Sequence, residues 1–521
     1  MKTTHKILTN KYRDSVALMQ ISTKLCDLPG VMQASAIMAT AANIKLLSEA
    51  GLIDIPINPR PNELLIAIQG EDEAAIGNAF DHAEAALNEV STTTDEGGET
   101  ALSPKSIEMA LDRFPNTNLV LISCPGEYAC AEARKALHLG LDVMIFSDNV
   151  SIEDECALKH LAQASGQLVM GPDCGTAILN GVPLGFANVV SPGSIGIVAA
   201  SGTGLQQVSC LVDQLGRGIS QAIGIGGRDL NAQIGGLSML KGIEVLAADD
   251  KTDVITLVSK PPSPEIAEKV LTQVATCGKP VVVNFIGSKI AAPSDTVYIV
   301  ETLEQAAHLS VRLSKGGNPS SVSLPRHKLA DDEVQEISRG LKSAQKYVRG
   351  LYSGGTFSYE AMLLLDQEMG PMNSSSPLRP EHNLNDIWSS TGNTIIDLGD
   401  DLFTRGRPHP MIDHRLRNDR ILQEAQDPET AVVLLDVVIG YGAHGDPAGE
   451  MAKTIKAARQ ASSKSGGTPA FVTFVCGTQG DPQNLTAQEN KLREVGATVV
   501  ESNAQAVRLT RDIIAAHGVG K

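Results

Sequence analysis

The sequence predicts an α/β protein built from several modules with parallel sheets, and three observations support this fold class. Apolar runs of strand length alternate with amphipathic helical patterns along most of the chain. Most of these runs are apolar throughout, which is typical of parallel strands covered by helices on both faces. The 521 residues include 48 glycines, as expected where many strands turn tightly into helices. A chain of this length exceeds a single hydrophobic core and predicts three or four domains.

Residues 1–90 form the first predicted module, which alternates short strands and helices. Strands are expected over HKILTN, VMQASAIMAT and ELLIAIQG, with a helix after each. Split βαβ modules of this size are typical of ferredoxin-like or ACT-like units. The segment 91–104 is polar and rich in Thr, Gly and Glu, so we interpret it as a linker.

The second predicted module, residues 105–167, alternates strands and helices again. The apolar runs NLVLISCPG and DVMIFSD are each followed by a helical pattern. Ser151 and Asp154 have the spacing of a capping pair at the start of the last helix. We expect a parallel sheet with helices on both faces.

The third module, residues 168–320, and the fourth, residues 345–521, follow one plan. Each begins with an apolar strand, a Ser-Gly turn and a helix, in SIGIVAASGTG and in KYVRGLYSGGTF. Three further strands follow in each module, and the second strand ends in a Gly- and Asp-containing turn. A duplicated α/β domain is the simplest interpretation. The polar stretch between the modules is predicted to join the two copies.

Charge and cysteine usage limit the classes of function. The formal net charge is −17 and no basic stripe offsets it, which excludes a typical nucleic-acid binder. The eight cysteines are scattered without a CxxC pair, as in a reduced cytoplasmic protein. Because the sequence starts with polar residues and has no long apolar run, we expect neither a signal peptide nor a membrane span. No metal-ligand spacing such as HExxH occurs, so we assign no metal site.

The two Ser-Gly turns are the main candidates for ligand binding. Amides at the start of a helix lack internal partners and lie at the positive end of the helix dipole. Glycines let a ligand approach the backbone, and a hydroxyl adds a donor. Both turns follow strands, at the sheet edge where α/β proteins bind ligands. We therefore expect a phosphate or carboxylate to bind at Ser201, Gly202, Thr203 and Gly204 and at Ser353, Gly354, Gly355 and Thr356.

A second group of candidates follows the strands of the two copies. Arg405 or Arg407 would hold a phosphate or carboxylate by two parallel hydrogen bonds. His444 would polarise a carbonyl or move a proton. Alternative interpretations are a solvated loop around the arginines and a structural histidine at the start of a helix. The other members are Asp400, Asp401, His409 and His414 in the arginine loop, and Arg228 with Asp229, for which a salt-bridged turn is the alternative.

Several segments resemble a known family. GPDCGTAILNG and PGSIGIVAASGTG resemble the alpha subunit of succinyl-CoA synthetase, and LYSGGTFSYEAM resembles the carboxyl-terminal domain of its beta subunit. The fused order, with DDLFTRGRPHPMID and GYGAHGDPAGE, is identified as that of the FdrA family. The resemblance implies two flavodoxin-like ligase domains over 168–320 and 345–521. It also implies a Rossmann-like, CoA-binding-type domain over 105–167, and that the two Ser-Gly turns face one phosphoryl site.

Departures from the synthetases alter the expected chemistry. The region VVVNFIGSKIAAPSDTVYIV lacks the phosphohistidine of the alpha subunit, and the first strand is not followed by a glycine-rich CoA loop. No segment resembles an ATP-grasp domain. The FdrA resemblance implies instead a subunit of a carbamoyltransferase of purine-derived nitrogen metabolism, with oxamate as acceptor or product. No cofactor is then required, and the partners would be an anionic substrate and other protein subunits. The alternatives are an acyl-CoA synthetase subunit and a non-catalytic scaffold.

Overall fold

The computed structural model describes residues 2–9, 11–13, 15–53, 57, 59–89, 104–319, 324, 327–404, 408–465 and 467–518. These residues form four β-sheets flanked by helices, as the α/β prediction requires. The predicted linker 91–104 lies outside the described residues, apart from Pro104. None of the described helices combines the length and the apolar character needed to cross a bilayer.

The first sheet is small and antiparallel, in the order β1-β3-β2. Its central strand is buried except for the partly exposed Gln69, because helices cover both faces: Leu64, Ile66 and Ile68 pack on one side, and Leu65 packs on the other. The strands β1 and β2 both pair with β3, which gives the split βαβ arrangement expected from the sequence. The elements are Lys2–Leu8 (β1), Ser15–Cys26 (α1), Val31–Met38 (β2), Ala41–Glu49 (α2), Leu64–Gly70 (β3) and Glu73–Glu89 (α3).

The second sheet has three parallel strands in the order β4-β5-β6. Ser151 caps α6, since its side chain accepts a hydrogen bond from the Asp154 N–H at 3.0 Å, as the spacing predicted. The elements are Ile107–Arg113 (α4), Leu119–Ile122 (β4), Gly126–His138 (α5), Asp142–Ile145 (β5), Ile152–Ser165 (α6) and Val169–Met170 (β6).

The third sheet has seven strands, in the order β13-β12-β11-β9-β10-β7-β8. Five are parallel, and β7 and β8 add an antiparallel hairpin at one edge. The elements are Thr176–Leu179 (β7), Val182–Gly185 (β8), Pro192–Ala199 (β9), Gly202–Gln214 (α7), Ile219–Gly224 (β10), Leu237–Ala248 (α8), Val254–Ser259 (β11), Pro264–Val274 (α9), Val281–Phe285 (β12), Val297–Ile299 (β13) and Leu303–Leu313 (α10).

The fourth sheet is entirely parallel, in the order β15-β14-β16-β17-β18. A short helix, α11, precedes it. The elements are Asp331–Arg339 (α11), Tyr347–Tyr352 (β14), Gly355–Met369 (α12), Thr394–Asp397 (β15), Asp401–Thr404 (α13), Arg415–Gln426 (α14), Thr430–Val438 (β16), Pro447–Ser465 (α15), Ala470–Cys476 (β17), Leu485–Glu494 (α16), Thr498–Val500 (β18) and Asn503–His517 (α17).

The two larger sheets share one topology, which confirms the predicted duplication. In each, the first strand of the copy lies between the second and the third, and the fourth and fifth follow outward. This is the 2-1-3-4-5 order of flavodoxin-like sheets, in which ligands bind where the strand order reverses. The reversal falls at β9 in one copy and at β14 in the other. Each of these strands leads into a Ser-Gly turn.

One hydrophobic core joins the two copies. Leu205 and Val208 of α7 belong to the same buried cluster as Phe357 and Ala361 of α12. Phe357 also packs edge-on against Phe474 of β17, with ring centroids 5.1 Å apart. Because α7 and α12 start at the two Ser-Gly turns, their packing fixes the position of one turn against the other.

Candidate functional site

The first Ser-Gly turn is organised by Ser201 at the start of α7. The Ser201 hydroxyl oxygen accepts a hydrogen bond from the Gly204 N–H at 2.9 Å, as in a typical helix cap. The N–H groups of Gly202 and Thr203 have no acceptor within the helix, and no other described residue accepts from them. This end of α7 therefore presents two amides to a ligand.

The second turn is held by a buried carboxylate. Asp436, at 0% exposure, accepts hydrogen bonds from the Ser353 N–H at 2.8 Å and from the Gly354 N–H at 3.0 Å. Arg417, also buried, donates to Asp436 Oδ1 at 2.9 Å and balances its charge. The amides of Gly355 and Thr356 lie beyond this network and have no acceptor among the described residues. Asp436 thus fixes the turn and leaves the start of α12 open.

The two turns touch each other. The hydroxyl oxygens of Ser201 and Thr356 lie 2.5 Å apart. A Cβ atom added at Gly354 would lie 3.0 Å from Thr203 Cγ2, so only glycine leaves this contact unstrained. The predicted meeting of the turns is confirmed, and binding of an anion there stays a prediction.

Lys260 and Asp397 flank the start of α12, and the sequence analysis missed both. A Cβ atom at Gly355 would lie 2.4 Å from Asp397 Oδ2 and 3.8 Å from Lys260 Nζ. Burial raises the pKa of Asp397 to about 7, although the nearby Lys260 charge opposes this rise. Lys260 is exposed and directly follows β11. Its place after a strand of the third module was the one signal that would have found it.

His409 lies beside the second turn. A Cβ atom at Gly399 would lie 2.6 Å from both His409 Nε2 and the Ser353 carbonyl oxygen. The Met411 N–H donates to His409 Nδ1 at 3.2 Å, so the proton of the neutral ring is on Nε2. Burial, and then the Arg417 charge, lower the pKa of His409 to about 4. His409 is therefore a neutral hydrogen-bond donor near pH 7.

A short chain of contacts leads from His409 to the first turn. The His409 ring packs on Phe186, with centroids 6.5 Å apart. The carbonyl oxygen of Phe186 accepts a hydrogen bond from the Thr176 hydroxyl at 2.8 Å. Thr176 Oγ1 in turn lies 3.4 Å from the position of a Cβ atom on Gly202. His409 is thus linked to the first turn through Phe186 and Thr176, and we call the region bordered by these residues and the two turns the cleft.

His444 takes the structural role that the sequence left as its alternative. Its Nδ1 accepts a hydrogen bond from the Asp446 N–H at 3.0 Å, at the start of α15. Its ring packs edge-on against His414, with centroids 5.2 Å apart. The described contacts of His444 are with these neighbours and not with the Ser-Gly turns, so the structure does not support the catalytic role we expected.

His414 is a buried neighbour of the site. It is 5% exposed, and its Nδ1 lies 3.1 Å from Nη2 of Arg417. Burial and the Arg417 charge hold its pKa well below the ordinary value. His414 thus completes the packing around Arg417 as an uncharged ring.

The binding role predicted for Asp229 is wrong, because its oxygens serve the fold. Asp229 is 0% exposed; its Oδ1 accepts from Lys159 Nζ at 2.7 Å, and its Oδ2 accepts from the Met239 N–H at the start of α8. Arg228 pairs with Glu155 at 2.8 Å, which is the salt-bridged turn named as the alternative.

Three further members of the predicted arginine loop are Asp400, Arg405 and Arg407. Asp400 Oδ1 accepts a hydrogen bond from the Leu402 N–H at 2.9 Å and so caps α13. Arg405 and Arg407 lie outside the described residues. Their expected grip on a phosphate or carboxylate stays a prediction.

Three family models match the chain. A CoA-ligase model matches residues 351–513, and a model of a CoA-binding domain matches residues 190–287. Both matches fall within the duplicated copies, whereas we expected the CoA-binding-type domain over 105–167. The third model, an AllF heavy metal-associated domain, matches residues 1–104.

The first module does not fit a thiolate metal site. Its only cysteine, Cys26, is buried, and its sulfur accepts a hydrogen bond from the Ala34 N–H at 3.0 Å. Over the described part of the chain, no cluster of three His, Cys, Asp or Glu side chains is arranged to hold an ion. We therefore derive no chemistry from a metal in this module.

Relatives whose names give an activity match part of the chain. The mitochondrial succinate–CoA ligase [ADP-forming] subunit alpha-2 of Trichomonas vaginalis is 32% identical over 34% of this chain and 58% of its own length. The alpha subunit of the same ligase from Methanothermobacter thermautotrophicus is 27% identical over 39% of this chain and 68% of its own length. The apo acetyl-coenzyme A synthetase 1 of Ca. Korarchaeum cryptofilum has 13% identity and a TM-score of 0.31, over 77% of this chain and 83% of its own.

One relative matches nearly the whole chain. The uncharacterized protein YahF of Escherichia coli K12 is 41% identical over 98% of both chains. At this identity and coverage the two share their domain order. The protein therefore belongs to the family of YahF, within the acyl-CoA synthetase-like superfamily that includes the succinate–CoA ligases.

Proposed function

We propose that this chain is a subunit of an enzyme that transfers the carbamoyl group of carbamoyl phosphate, with the phosphate held between the two Ser-Gly turns. The observation that carries the proposal is the contact between the turns, which brings the free amides of Gly202, Thr203, Gly355 and Thr356 to one cleft. Two helix N-termini and the ammonium of Lys260 favour a dianionic group there. This requires neither a nucleotide nor a covalent protein intermediate.

The carbonyl group of the substrate would be activated by His409. Its Nε2–H is a donor from a neutral ring, which can stabilise charge that develops on a carbonyl oxygen. The same tautomer makes Nε2 a poor nucleophile, because it carries the proton and its lone pair is part of the aromatic ring. His409 therefore suits direct transfer to an acceptor better than a phosphohistidine relay. The acceptor nitrogen would be that of oxamate or of a similar small amide.

A second candidate is an acyl-CoA synthetase subunit, and the CoA-ligase and CoA-binding matches favour it. Such a subunit would hold a phosphorylated acyl intermediate in the same cleft and would need a nucleotide domain from another chain. The two candidates share an acyl phosphate and differ in the acceptor. They also differ in whether a side chain of the protein is phosphorylated during the reaction.

A transfer assay distinguishes the candidates. The complex, purified with its natural partner subunits, is supplied with carbon-labelled carbamoyl phosphate and oxamate, and separately with ATP labelled in its terminal phosphate, succinate and CoA. We expect labelled carbamoyl product from the first mixture, and its loss in Gly354→Val but not in Gly77→Val, a glycine with open space around it. Labelled protein and acyl-CoA from the second mixture alone would favour the synthetase. Product from neither mixture would favour a scaffold.

A further inference from the structure

Transfer of a carbamoyl group requires two proton movements. The departing phosphate leaves with the electron pair of the broken carbon–oxygen bond and needs a proton on that oxygen. The acceptor nitrogen must lose a proton once its bond to the carbonyl carbon has formed. Positioned side chains commonly carry such protons. An inference about these protons rests on the proposed function.

Asp397 lies where it can reach a phosphate on α12. It ends β15, and its Oδ1 accepts a hydrogen bond from the Gly399 N–H at 2.9 Å. Its Oδ2 lies against Gly355, the first residue of α12, 2.4 Å from the position of an added Cβ atom. No described residue donates a hydrogen bond to Oδ2. One oxygen is thus fixed by the backbone, and the other faces the start of the helix.

The charges around Asp397 place its ionisation near neutrality. Burial raises its pKa to about 7. Lys260 and the Gly399 N–H lower the pKa, whereas the carboxylates of Asp400 and Asp436 add to the rise, and the value of about 7 includes all of these effects. His409, at the same edge of the sheet, is neutral near pH 7 because its pKa is about 4. A phosphate dianion on the adjacent amides would raise the pKa again and favour uptake of a proton.

We propose that Asp397 is the proton carrier of this cleft. Its carboxylic acid gives a proton to the phosphate oxygen as the carbon–oxygen bond breaks and the nitrogen–carbon bond forms. The resulting carboxylate then takes the proton from the acceptor nitrogen, which restores the acid. The atoms and charges balance, and no oxidant, reductant or cofactor is needed. Lys260, besides facing the phosphate, limits how far the pKa of Asp397 rises.

The test measures protons taken up when carbamoyl phosphate binds. Calorimetric titrations of the full chain in two buffers of different ionisation enthalpy give the uptake at each pH between 6 and 8.5. We expect wild type, and the exposed control Glu494→Gln, to take up about half a proton near pH 7, because a pKa near 7 is raised on binding. Asp397→Asn should bind without that uptake. Lys260→Met should shift the uptake to higher pH.

Each outcome decides a separate point. Binding with equal uptake in wild type and Asp397→Asn overturns the role of Asp397 and leaves the proposed function standing. If wild type does not bind carbamoyl phosphate, the proposed function fails and the inference fails with it. If Asp397→Asn does not fold, the variant Lys260→Met at an exposed position tests the inference instead. Proton uptake that has the same pH dependence in Lys260→Met as in wild type would then contradict the role of Asp397.

Discussion

At the scale of single residues, the site depends on a few groups whose protonation is set by backbone contacts. His409 illustrates this, because the Met411 N–H fixes which ring nitrogen carries the proton. His444 is held in the same way by the Asp446 N–H, yet it contacts His414 instead of the turns. The difference between the two histidines is therefore one of location.

Substitution of His409 tests its assignment as the donor to the carbonyl. His409→Phe should lower turnover by about 10²-fold or more, the usual cost of removing one donor to a developing oxyanion. The affinity for carbamoyl phosphate should change little, since the phosphate contacts are kept. The wild-type rate should not vary with His409 ionisation above about pH 5, because the pKa of that ring is about 4. Steady-state kinetics of the complex, with the exposed His138→Phe as control, measure both effects; unchanged turnover would rule the role out.

The sequence predicted the Ser-Gly turns and named His409 as a candidate, but it did not predict Lys260 or Asp397. The turns have a local signature, namely an apolar strand followed by Ser and Gly at the start of a helix. Lys260 and Asp397 belong to different copies, and only the packing of α7 on α12 brings them together. His444 and His409 have similar sequence surroundings, each near glycine or proline after a strand. The sequence pattern alone does not show which of these two histidines lies beside the Ser-Gly turns.

At the scale of secondary-structure elements, the second turn depends on the buried pair of Asp436 and Arg417. Asp436 lies within β16, and among the described residues its charge is balanced by Arg417 and by the two turn amides. Removing one partner of such a pair leaves a buried charge uncompensated.

Asp436→Ala should therefore lower the free energy of unfolding by about 3–5 kcal/mol. The comparison is Glu450→Ala, which breaks an exposed pair with Lys453 and should cost about 1 kcal/mol or less. Urea unfolding of each variant measures both values. Equal costs for the two variants would show that Asp436 does not hold the turn.

The hairpin β7–β8 was not predicted, although the sequence contains a signal for it. Its turn is Asn180-Gly181, and both residues have positive φ, at 50° and 80°. An Asn-Gly pair between short apolar runs is a strong hairpin signal. The parallel strands were predicted because each is apolar throughout and is followed by a helix. The hairpin strands have only four residues each and lack that pattern.

At the scale of the whole molecule, the two copies are joined by buried polar groups as well as by the shared core. Glu360 of α12 accepts hydrogen bonds from the Leu303 N–H of the third module and from Asn503 Nδ2, each at 2.8 Å. Glu304 pairs with Arg508 at 2.8 Å across the same boundary. These buried contacts link α12 and α17 of the fourth module to the start of α10 in the third.

The ionisation of Glu360 should make the stability of this boundary depend on pH. Burial raises the pKa of Glu360 to about 7 from its ordinary value of 4.5. The folded state thus holds more protons than the unfolded state between these values, so the free energy of unfolding should fall as pH rises from about 5 to 8. Denaturant titrations across this range should show a smaller fall in Glu360→Gln. Equal falls in the two proteins would contradict the assignment.

The central claim is that the meeting turns bind the phosphate of carbamoyl phosphate. The most direct measurement is calorimetric titration of carbamoyl phosphate, and in parallel of CoA, into wild type, Gly354→Val and Gly77→Val. We predict binding of carbamoyl phosphate by wild type and Gly77→Val, and at least about tenfold weaker binding by Gly354→Val, equivalent to about 1.4 kcal/mol. Equal affinity in all three proteins, or binding of CoA without carbamoyl phosphate, would contradict the claim.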